Sequence, residues 1–151
     1  MTAPAEEDYV QHFQALARVN LEIREYGPTA TRLLCKSILE SDIGNYSAAL
    51  DDARDALDLK PELSEAHYQE AMALMLLAFT RVGVLAGSPG MAMPLARARR
   101  LLEQAATSFG AAAELNDEDE EAQADADAIL GFLAQNEDDD DLEAALHAMF
   151  A

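Results

Sequence analysis

The stretch from Gly44 to Pro61, GNYSAALDDARDALDLKP, decides the fold. Ala49, Ala53 and Ala56 recur at i, i+4 and i+7, which puts them on one side of a helix. Side chains this small let a neighbouring backbone approach closely. Leu50, Leu57 and Leu59 lie between and after them. Gly44 and Asn45 supply a turn before the helix. Pro61 stands just past its end, where a residue without an N–H suits a stop.

Working outward, the chain reads as helices divided by breakers. Upstream, Leu33, Leu34, Ile38 and Leu39 mark a helix over 30–42, with Thr29 as its N-cap and Gly27-Pro28 before it. A first helix is predicted over 6–26. Tyr9, Phe13, Leu16 and Ile23 fall near one face, and Val10, Ala17 and Leu21 widen it. Glu6, Glu7 and Asp8 suit its N-terminal dipole end. Residues 1–4 are expected to be disordered. Downstream, Ser64 caps a helix that begins SEAHYQEAMALMLLA and is predicted to reach residue 86. A turn-rich segment around Gly87-Ser88-Pro89-Gly90 leads to a helix over 91–115. An acidic connection, a helix over 118–135, a second acidic break over 136–141 and a short amphipathic helix over 142–150 complete the reading.

The segment around Gly44–Pro61 resembles the second half of a tetratricopeptide repeat, a helix-turn-helix unit of about 34 residues. Gly44, Tyr46, Ala49, Ala56 and Leu59 match the residue types that family carries at these places. Ala53 stands where a larger aromatic is usual. In the preceding helix, Ser37 keeps a small residue, while Leu33 and Lys36 replace an aromatic and a leucine. The stretch from Ser64 to Ala78 resembles the first helix of a following repeat, with Ala66, Ala71 and Leu74 in place. Its second helix arrives late, through Ala105, Phe109, Ala112 and Leu115, so residues 78–99 read as an insertion that lengthens both helices. The helix over 118–135 resembles a third first-helix without its partner, a usual form for a terminal cap. The resemblance spans 30–133. It implies an all-α fold: a short right-handed stack of antiparallel helix pairs, about seven helices, within a domain over 5–135, followed by an acidic linker and the C-terminal helix over 136–151.

Composition narrows the function. Hydrophobic residues make up 50% of the 151, and there are only seven glycines and five prolines, so one domain with a real core is expected. Ten basic residues against 29 acidic ones give a net charge of -19, which argues against nucleic-acid phosphate or anionic lipid as a partner. Acidity of this kind also serves solubility alone. Cys35 is the single cysteine, so an internal disulfide is excluded; it lies in the run Leu33-Leu34-Cys35 and is expected in the core. The start MTAPAEEDYV lacks a basic segment followed by an apolar run, and no apolar stretch is long enough to span a membrane, which gives a soluble, cytoplasmic expectation.

No chemistry-bearing constellation stands out. His12, His67 and His147 fall on different predicted helices without metal-ligand spacing. His67 occupies a place where the repeat usually has an aromatic, and a packed ring is expected. The acidic runs at 117–121 and 137–141 lack the spacing and glycine of a calcium loop. No nucleophile–base signature or phosphate loop is present. No cofactor or metal is therefore expected, and catalysis is disfavoured.

In the resembled family, partners bind the concave surface lined by first helices. Carried onto this chain, that implies Thr31, Leu34, Ile38, Ser41, Glu65, Tyr68, Met72 and Met75, an apolar surface with an acidic edge. The partner would be another protein, presenting a basic or apolar peptide or helix. Co-chaperones of the family hold a C-terminal carboxylate with lysine and arginine at places where this chain has Glu65 and Gln69, so that mode is disfavoured. Two alternatives stay open beside the adaptor. In one, the first or last helix covers this face. In the other, the chain is a structural subunit that self-associates, or joins a larger assembly, through its outer helices. An enzyme is the third reading.

Overall fold

The computed structural model describes residues 6–85, 94–118 and 120–149. Among them are seven α-helices and no strand: α1 (Glu6–Tyr26), α2 (Ala30–Asp42), α3 (Tyr46–Leu59), α4 (Ser64–Leu85), α5 (Leu95–Leu115), α6 (Glu120–Gln135) and α7 (Asp139–Met149). The expected loose start over 1–4 and the turn at Gly87–Gly90 lie outside the described residues.

The breaks between the first three helices follow from two glycines. Gly27 has φ +86° and Gly44 φ +84°, a left-handed conformation in which a Cβ is strained. At Gly27 the backbone N–H returns to the Ile23 carbonyl at 2.9 Å and ends α1. At Gly44 the ending is a Schellman motif: Asn45 N–H bonds the Glu40 carbonyl at 2.9 Å, and Gly44 N–H bonds the Ser41 carbonyl at 3.0 Å. Thr29 caps α2, its hydroxyl accepting from Arg32 N–H at 3.1 Å. Asn45 precedes α3, yet its side chain donates to Glu40 Oε2 at 2.8 Å instead of capping.

Consecutive helices from α1 to α6 pack on one another. Ala49, Ala53 and Ala56 are all fully buried, as their spacing predicts. Where α2 crosses α3, the buried Ser37 hydroxyl donates to the Ala49 carbonyl at 2.6 Å, a contact that only a small side chain allows. Two apolar clusters result. The smaller joins Leu33, Ala56 and Ala66; the larger runs from Ala49 through Leu74, Leu102 and Phe109 to Leu142 and Leu146.

Helix α7 folds back onto α4, and Leu142 and Leu146 are fully buried beside Ile129 and Leu133. The sequence reading began this helix at Leu142; it begins three residues earlier, inside the acidic run. Asp138 Oδ1 accepts from Asp140 N–H at 2.8 Å, so carboxylates taken for a solvated linker initiate the helix and meet its positive end. Arg99 of α5 reaches the same corner. Its Nη2 donates to the Asn136 and Glu137 carbonyls at 3.0 and 3.1 Å and lies 3.2 Å from Asp139 Oδ1.

Three further expectations are corrected. Cys35 is exposed, because α2 turns Leu33, Ser37 and Glu40 inward and Cys35 falls on the opposite side. Tyr9 and Phe13, expected on the packed face of α1, are 40% and 55% exposed; Leu16, expected beside them, is buried, and so is Val19. Helix α5 begins at Leu95, with the exposed Pro94 just before it, later than the predicted start at residue 91.

Candidate interaction surface

Eight residues were implied by the family resemblance, four on α2 and four on α4. The structure brings the two helices together, since α2 contacts α4 directly as well as through α3. Thr31 and Glu65 are exposed, and Ser41 is half-buried. Leu34 packs against the smaller cluster, and Ile38 is 43% exposed. Tyr68, Met72 and Met75 are half-buried and pack against the larger cluster. They form a supported apolar floor rather than projecting anchors, and Ile38 is the large apolar side chain of the eight that stands open to solvent.

Tyr68 organises the α4 part. Its ring meets Phe109 edge-on, with centroids 5.2 Å apart and planes at 70°. Its hydroxyl donates to Asp125 Oδ2 at 3.2 Å and lies 3.4 Å from Glu121 Oε1, both on α6. Burial first, then the negative charges of Asp125 and Glu121 and their hydrogen bonds, push the phenol up to about 12. The hydroxyl therefore stays a donor at ordinary pH and ties α4 to α6. The sequence reading takes Glu121 only as part of the acidic run 117–121 and does not single out Asp125, although their i, i+4 spacing on α6 puts them on one face. Helix α4 thus meets α2 directly and α6 through Tyr68.

The opposite side of α4 is chemically closed. Glu70 accepts from Arg54 Nε at 3.1 Å and from the Ser108 hydroxyl at 2.7 Å, joining α3, α4 and α5. An open cleft of about 490 Å³ lies over this pair, lined by Arg54, Glu70, Arg100, Glu103, Gln104 and Ser108 among others. Its basic and acidic side chains are interspersed, so the cleft has no single sign of charge to recognise a ligand. Between α2 and α3, Lys36 Nζ lies 3.3 Å from Asp52 Oδ1, and Asp52 Oδ2 is buried without a hydrogen-bond partner. Desolvation raises the Asp52 carboxyl above its usual range, and Lys36 offsets only part of that. His67 is half-buried, and its Nε2 lies 2.8 Å from the Pro61 carbonyl, so the ring closes the α3–α4 turn.

Among the described residues, no group of three or more His, Cys, Asp or Glu side chains converges as a metal site, and no helix is long and apolar enough to cross a membrane. No protein-family model matches the chain, and no curated protein or solved structure matches it.

Proposed function

We propose that this chain is a non-catalytic adaptor of tetratricopeptide type, which holds a segment of another protein along the side formed by α2, α4 and α6. The observation that carries this reading is the tie from Tyr68 to Glu121 and Asp125. It fixes an acidic wall beside a half-buried floor of Met72 and Met75, with Ile38 open to solvent further along. Methionines adapt to differently shaped apolar side chains, and carboxylates select cations around them. A matching segment is an amphipathic peptide or helix whose apolar residues are flanked by lysine or arginine. The net charge of -19 steers such a segment toward the protein over long range.

Fluorescence anisotropy with an amphipathic leucine–lysine helical peptide tests the reading. The expected result is saturable binding that weakens as salt rises and is lost in Ile38→Glu and in Asp125→Lys. Neither substitution falls at a fully buried position, so the fold survives both. Equal binding by the wild type and both variants would place the contact on another surface and end this proposal.

A further inference from the structure

The turn between α6 and α7 is built differently from the two that open the fold. At Gly27 and Gly44 the backbone takes a positive φ, so residue type fixes those corners. The α6–α7 turn is Asn136-Glu137-Asp138, without glycine or proline, and none of the three has a positive φ. Nothing in these residue types forbids a helix that runs straight through. Contacts bend it instead. In an unbroken helix the Asn136 and Glu137 carbonyls would accept from the N–H groups of Asp140 and Asp141. Here both accept from Arg99 Nη2, at 3.0 and 3.1 Å, and Asp140 N–H turns to Asp138 Oδ1 at 2.8 Å. One guanidinium on α5 thus stands in for two bonds that the break takes from the helix.

We infer that the seat of α7 on α4 also receives α7 of a second copy of the chain. In that exchange α6 and α7 straighten into one helix over 120–149, and each copy lays its α7 on α4 of the other. The fit already present names the occupant. Leu142 and Leu146 are fully buried in the larger cluster, and an identical helix from another copy remakes the same burial. Only the hinge changes. It trades the two Arg99 bonds and the Asp138 cap for the two bonds of a continuous helix. Exchange of an identical element is a low-cost route to a dimer for this reason. The hinge charge sets the bias. Residues 137–141 are five carboxylates in succession. At the start of α7 they meet its positive end, whereas inside a continuous helix they lose it and repel one another. The single chain is therefore the resting form at low salt, and screening favours exchange. The inference does not require the adaptor reading.

Sedimentation equilibrium of the full chain, from micromolar to hundreds of micromolar, provides the test. Arg99→Ala removes both hinge bonds. It is expected to raise the association constant at least about tenfold over the wild type, toward twice the 16.3 kDa of one chain. Two glycines inserted after Glu137 give α7 slack to fold back and interrupt a continuous helix, so they return Arg99→Ala to the mass of one chain. Deletion of residues 136–138 is the second arm, and it holds even if Arg99→Ala does not fold. It leaves α7 no length in which to turn back. The expected result is a dimer in which the amides of Leu142 and Leu146 stay as protected from exchange as in the wild type. A deletion variant with the mass of one chain, or with unprotected α7 amides, overturns the inference. So does a folded Arg99→Ala chain that stays single at every concentration. An Arg99→Ala dimer that survives the glycine insertion overturns it too, because another surface would then hold the copies together.

Discussion

The two terminal helices make an instructive contrast. Helix α7 has 11 residues, is highly acidic at its start, and fully buries Leu142 and Leu146. Helix α1 has 21 residues and carries more large apolar side chains, yet Tyr9, Val10, Phe13 and Leu21 all stand at 40% exposed or more. Length and apolar content do not decide burial. The number of neighbours does: α7 lies where α4, α5 and α6 all supply apolar side chains to one cluster, while α1 has mainly α2. An isolated helix as short as α7 is marginal in water, so its order comes from that docking. The longer α1 keeps one face for its neighbour and leaves another unspent.

The contrast is tested most strongly at Leu142. Leu142→Ala removes a fully buried side chain and is expected to cost about 2–5 kcal/mol, or a fall in melting temperature of roughly 5–15 °C by calorimetry. A fall under about 2 °C would mean that α7 is a loosely held tail. Arg99→Ala acts at the corner between α6 and α7. Loss of its bonds to the Asn136 and Glu137 carbonyls is expected to cost about 1–3 kcal/mol and to speed amide exchange in α7 before α6. Uniform acceleration across both helices would deny the corner any special part. At Phe13 the prediction is the reverse. Phe13→Ala, measured at concentrations where the chain is a monomer, changes stability by no more than about 0.5 kcal/mol, since the side chain is 55% exposed.

A control away from both ends lies between α2 and α3. Asp52 is a carboxyl whose folded-state pKa is raised by burial, so the folded state is penalised as pH rises through that value. Asp52→Asn removes the penalty. Its melting temperature relative to the wild type is expected to be lower or unchanged in acid, below the ordinary value of 3.8, and to improve as pH rises toward neutrality. Lys36, 26% exposed on its side chain, turns to solvent in the variant. A relative stability that worsens with rising pH would show that attraction to Lys36 outweighs desolvation.

Local pattern made much of this molecule legible, and distance hid the rest. The spacing of Ala49, Ala53 and Ala56 named three fully buried residues, and Gly44-Asn45 named the turn that became a Schellman motif. Both are short-range signals. Cys35 is exposed although it ends the apolar run Leu33-Leu34-Cys35, because a helix cannot turn three successive residues to the same side. Tyr9 and Phe13 stay exposed because the apolar face of α1 is wider than one neighbour covers. The acidic wall was invisible for another reason. Tyr68 finds Glu121 and Asp125 at sequence separations of 53 and 57, and no local pattern announces such a pairing.

The two apolar clusters also set a timetable during synthesis. The smaller one draws its buried members from Leu33, Ala56 and Ala66, so nothing beyond residue 66 is needed to complete them. The larger one cannot close until Leu146 has left the ribosome. At translation rates of about 5–20 residues per second, the 80 residues between these points take roughly 4–16 s. For that interval the completed smaller cluster travels with α3 and α4 faces, Ala49 and Leu74 among them, that still wait for their last partners. A chaperone that grips nascent apolar helices would find its target there.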